Sequence, residues 1–126
     1  MIKEELDERL KVLQLSETIT NTAAIVTKNA FEHLTSTLKR EQVLQGEMLF
    51  THLPMALTRL ARGEKIEQPP EAVVNEALSS GFKEKTNNEI FNIEQQWGSG
   101  LPEAEKDYLY IHYSLIFQLN SGGEAK

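Results

Sequence analysis

Apolar residues recur along the chain at every third or fourth position, and nowhere does a two-residue alternation persist, so the pattern predicts helices without a sheet. The first stripe, Ile2, Leu6, Leu10 and Leu13, carries acids early and Lys11 late. It predicts a short amphipathic extension over 1–15 that packs on the body or on a second copy. A second stripe, Ile19, Ala23, Val26, Ala30, Leu34 and Leu38, follows Ser16, whose hydroxyl is expected to cap that helix. Thr18, Thr20, Thr22 and Thr27 are poor helix formers, so packing rather than propensity must hold the element. His33 lies beside the stripe and is expected at the surface or helix edge, without chemistry.

A longer helix is expected from about 41 to 62, with Leu49, Leu53, Ala56 and Leu60 buried and His52 on the same side. Arg59 lies two turns beyond His52 on that face. Pro54 lacks the N–H that a helix interior uses, so the helix is expected to kink or to stop there. Gly63 closes it, and 64–70, ending in Pro69 and Pro70, reads as an extended connector. Shorter helices follow over 71–79, with Val73, Val74, Ala77 and Leu78, and over 82–97, with Thr86, Ile90, Ile93 and Trp97. Gly81 and Gly98 end them.

The last helix opens at Pro102, expected in its first position, with Glu103 and Glu105 in the first turn, where the helix dipole favours negative charge. Its stripe reads Tyr108, Ile111, His112, Leu115, Ile116 and Leu119, and Glu105, Tyr108 and His112 share an edge. The tail 121–126 reads as flexible. The chain therefore reads as all-α and one domain, with six helical stripes of which the first, over 1–15, is an extra N-terminal helix. Ile111, Leu115, Leu53 and Val26 are expected in its shared core.

Composition narrows the function more than the fold. With 126 residues there is room for one domain, and 40% hydrophobic with 25% charged residues supports a core without staples. The absence of cysteine excludes disulfides and thiolate metal sites. A net charge of −6, with 13 dispersed basic residues, argues against direct nucleic-acid binding, which needs phosphate neutralisation. The charged start and the lack of a long apolar run point to a cytoplasmic protein without membrane contact.

Candidate chemistry rests on the two histidines set on apolar stripes. One alone reads best as a core histidine bonded to a backbone carbonyl; His52 and His112 together ask for more. With Glu105 they supply a two-His-one-carboxylate ligand set for a metal-dependent enzyme, but their spacing matches no metal motif. No phosphate-binding loop or nucleophile elbow is present, so neither catalysis nor a cofactor is expected. A third reading is a helical scaffold that acts only by dimerisation.

The segment Leu49-Phe50-Thr51-His52-Leu53-Pro54-Met55-Ala56-Leu57-Thr58-Arg59-Leu60-Ala61-Arg62-Gly63 and the later Pro102-Glu103-Ala104-Glu105-Lys106-Asp107-Tyr108-Leu109-Tyr110-Ile111-His112 carry a resemblance. In this order they resemble the two histidine motifs of the phosphotransferase-system regulation domain (PRD), over roughly 16–120. Thr51 stands where many members carry an acid. The resemblance implies a homodimeric five-helix bundle that regulates transcription through other proteins. It further implies that His52 and His112 accept phosphoryl groups from HPr or an enzyme II B-type protein, with Arg59 beside them. An arginine fork could pair with the phosphate, while Glu105 and Tyr108 tune the imidazoles.

Overall fold

A hydroxyl decides where the first long helix begins, and it is not the one expected. The Thr20 hydroxyl accepts from the Ala23 N–H at 3.1 Å, while the chain at Ser16 is still closing the preceding helix, with the Ser16 N–H donating to the Val12 carbonyl at 3.1 Å. Glu17 adopts a positive φ of 59°, and the Thr18 N–H turns back to the Leu13 carbonyl at 2.9 Å, so residues 16–19 form the turn between two helices. The structure is a computed structural model that describes residues 1–120; the flexible tail expected over 121–126 lies outside the described residues.

Six helices and no strand make up the described residues: α1 (Lys3–Leu15), α2 (Asn21–Leu38), α3 (Glu47–Ala61), α4 (Glu71–Leu78), α5 (Lys83–Trp97) and α6 (Glu103–Asn120). Helices α2, α3, α6 and α5 pack in a closed cycle, each on the next, with α1 laid on α2 and α4 on α6. Inside the cycle lie Phe31, Leu34, Phe50, Leu53, Leu57, Leu109, Tyr113 and Phe117, all buried. Phe31 meets Phe50 edge-on, with ring centroids 5.0 Å apart. The all-α expectation holds, and none of the described helices is long and apolar enough to cross a membrane.

Helix α3 starts at Glu47 rather than near 41. Lys39 and Gln45 both take positive φ, which a right-handed helix cannot accommodate, so the stretch between them is irregular. It is held by its own pairings: the Leu44 N–H donates to Asn120 Oδ1 at 2.8 Å, and Asn120 Nδ2 returns a bond to the Leu44 carbonyl at 3.0 Å. Pro54 does not end α3, which runs on to Ala61 as one helix. Beyond it the Thr58 hydroxyl donates to the Pro54 carbonyl at 2.8 Å and accepts from the Thr20 N–H at 3.1 Å, tying the middle of α3 to the start of α2. Pro102 stands just before α6, its carbonyl accepting from the Lys106 N–H at 3.0 Å.

The largest correction concerns α6. Val26 and Leu53 are buried as expected, but Leu115 is 48% exposed and Ile111 only half-buried. The inward stripe is Glu105, Leu109, Tyr113, Ile116, Phe117 and Asn120. Apolar side chains run most of the way round this helix, so two adjacent stripes satisfy the same period. The interior took the one carrying Tyr113 and Phe117. The neighbouring stripe, with Tyr108, His112 and Leu115, faces the edge of the bundle.

Candidate functional site

His52 sits on α3 one turn before Ala56, on the side that meets the first turn of α6. Glu105 projects there from α6 and is fully buried. The His52 Nε2–H donates to both carboxylate oxygens, at 3.0 and 3.1 Å, which leaves Nδ1 as the second nitrogen of the ring. Burial pushes the Glu105 carboxyl above its ordinary value, and the His52 hydrogen bond, the His52 charge and the Arg59 charge pull against it. A carboxylate without hydration is therefore held by a single imidazole.

Two more rings close on His52 from α6. The Tyr108 ring centroid lies 5.1 Å away and the His112 centroid 5.3 Å away, both tilted. Burial lowers the His112 pKa to about 4, and the neighbouring His52 charge adds to the shift. His112 is thus a neutral imidazole with an available lone pair at any pH near neutrality. These rings open on a cleft of about 620 Å³, whose wall also includes Arg9, Thr51 and Arg59. A smaller cleft of about 360 Å³ lies on the other side of His52, Arg59 and Tyr108, against residues 64–67 of the connector.

The residues singled out from the sequence converge. His52, Glu105, Tyr108 and His112 form one cluster, and Arg59 lines the cleft they border. Arg9 was missed. It comes from α1, donating from Nη1 to the Thr51 hydroxyl at 2.7 Å, with the Glu47 carbonyl at 3.5 Å. The signal was present, since Leu6, Arg9 and Leu13 are spaced three and four apart, placing a charge in register with an apolar stripe.

A second histidine–carboxylate pair lies away from the cleft. His33 does lie at a helix edge, but it is not idle: its Nδ1 is 2.9 Å from Oε1 of Glu89 on α5. Glu89 is buried, and its other oxygen accepts from the Thr37 hydroxyl at 2.8 Å. Here too an acid sits in register with an apolar stripe, between Thr86 and Ile93. Among the described residues no three His, Asp or Glu side chains gather in an arrangement able to hold a metal ion, so the His52–Glu105–His112 ligand set has no geometric basis. No family model, curated protein or solved structure matches the chain.

Proposed function

We propose that the chain is a regulatory module of the PRD type, switched by phosphoryl transfer to an imidazole of the α3–α6 cleft. The observation that carries the reading is the pair of imidazoles 5.3 Å apart, one of them held neutral, on the border of an open cleft. A neutral imidazole nitrogen attacks phosphorus with its lone pair; the bond to the donor breaks and its electron pair leaves with the donor. His112 meets that requirement directly, and His52 offers its Nδ1 while Glu105 holds Nε2. The donor is a phosphocarrier of the bacterial sugar phosphotransferase system, HPr or an enzyme II B-type protein, acting in the cytoplasm. The module transforms no substrate of its own and regulates transcription through protein contacts.

A phosphoryl group adds about −1.5 to −2 charges beside a buried carboxylate and near Arg59. The new charge is repelled by Glu105 and attracted by the guanidinium, so the seam between α3 and α6 is the element that responds. The output is the contact with a second copy. Met48 is 67% exposed and Leu119 46%, which leaves apolar side chains of α3 and α6 on the surface. A Leu115→Glu variant is expected to shift a homodimer to monomer in sedimentation.

The reading is tested by incubation with phosphoenolpyruvate, the general phosphotransferase enzymes and HPr. Acid-labile phosphohistidine is expected on the wild type, with loss in His112→Ala and reduction in His52→Ala. If all three chains stay unmodified, the module is a scaffold that acts by dimerisation alone.

A further inference from the structure

Two guanidinium groups reach the cleft, Arg59 from the end of α3 and Arg9 from α1. Among the described residues neither is ion-paired with a carboxylate. Arg9 is held by a neutral hydroxyl and a carbonyl oxygen, which fix its position and leave its charge uncompensated. The chain carries 19 acidic residues, yet only Glu47 contributes a carboxylate to this wall, with Glu105 buried behind His52. His52, His112 and the Thr51 hydroxyl add hydrogen-bonding groups at the same wall.

We propose that the cleft seats a phosphoryl dianion clamped between Arg9 and Arg59, which makes α1 part of the site. The planar fork of arginine matches the oxygens of a phosphoryl group, and charge-assisted bonds to it are stronger than the bond Arg9 makes to Thr51. The dianion draws Arg9 off Thr51, so that occupancy of the cleft is felt on α1. It is either free, as phosphate or a phosphate monoester, or carried on a cleft imidazole; the second source rests on the phosphotransfer reading above. The clamp is the same in both.

The test uses the full chain, titrated with inorganic phosphate and separately with chloride at equal ionic strength. The ring signals of the three histidines are followed by NMR. His52 and His112 are expected to shift saturably with phosphate and not with chloride, while His33, on the α2–α5 side, stays put as an internal control. Arg9→Gln and Arg59→Gln are each expected to weaken phosphate binding about tenfold. Arg9→Lys should retain part of the affinity, and Glu47→Gln should raise it. Because Arg9→Gln also removes the bond to Thr51, the exposed Arg59 serves as the variant that leaves α1 untouched. Phosphate acting no better than chloride, or both arginine variants binding like wild type, overturns the proposal.

The source is separated by repeating the titration after incubation with the phosphotransfer proteins. A chain that becomes phosphorylated and no longer takes free phosphate carries the dianion in the same seat. A phosphorylated chain that still binds free phosphate unchanged removes the clamp from the carried group. A chain that binds phosphate yet is never phosphorylated sinks the phosphotransfer reading and keeps the clamp as a site for a free phosphate or monoester.

Discussion

The molecule carries the same device twice, a buried glutamate bonded to a histidine on a facing helix, and uses it differently each time. Glu89 divides its oxygens between two donors, the His33 ring and the Thr37 hydroxyl. Glu105 gives both oxygens to one nitrogen of His52. The α2–α5 pair ends at a half-exposed imidazole, whereas the α3–α6 pair continues into Tyr108, His112 and a cleft bordered by arginines. A carboxylate accepts at about four lone-pair positions, so two separate donors tie Glu89 off while Glu105 depends on one ring. Redundancy makes the first pair a structural clasp, and dependence makes the second responsive to whatever happens at His52.

Deleting the histidines measures that difference. His52→Ala leaves both oxygens of a fully buried carboxylate without their partner and is expected to cost about 3 kcal/mol at pH 7 in denaturant unfolding. The loss should shrink toward pH 5. The Glu105 carboxyl is already raised above 4.5 by burial, and without His52 it rises further, so the folded state binds a proton that the unfolded chain does not. Stability in this variant then falls as pH rises through that interval. A loss independent of pH would mean that Glu105 stays charged without its partner.

The imidazole that has no counterpart at Glu89 gives the next largest effect. His112 is expected to titrate at about 4 by NMR, well under the ordinary 6.5, and His52→Ala should raise that midpoint without restoring 6.5, because burial is the larger cause. The sign for stability follows. Between pH 6.5 and about 4 the unfolded chain protonates this residue and the folded chain does not, so His112 makes stability fall as pH drops through that window. A midpoint near 6.5 would mean that burial does not set the charge state of this ring.

Smaller effects belong to the clasp. His33→Ala leaves Glu89 its bond to Thr37, and a cost of about 2 kcal/mol is expected, less than for His52→Ala. Thr37→Val removes one neutral donor and should cost about 1 kcal/mol. If His33→Ala proves as costly as His52→Ala, the two carboxylates do not differ in redundancy and the contrast between clasp and switch fails.

Helix existence was legible because the helical period is a local property: Ala23, Val26, Ala30 and Leu34 mark one face whatever the rest of the chain does, and that face is buried. The period could not choose between the two apolar stripes of α6. That choice depended on which side chains fill the space between α3 and α5, and Tyr113 and Phe117 fill it. Helix starts were less legible: Ser16 and Thr20 both offer a capping hydroxyl and the positive φ of Glu17 decided between them, while the positive φ of Lys39 and Gln45 moved the start of α3 from about 41 to Glu47.

For the site, the sequence by itself determined the chemical types and their faces: His52 and Arg59 on one side of a helix, and Glu105, Tyr108 and His112 along one edge of another. Only the tertiary structure decided that these faces meet, that Glu105 lies beneath His52, and that Arg9 arrives from α1 to bond Thr51 across 42 positions of chain. It also decided that Glu89, an acid in a polar run, is buried against His33. The reason is physical. A charge in register with an apolar stripe is unfavourable inside a protein until a partner reaches it, and the partner is supplied by how two helices cross, which neither helix carries in its own pattern.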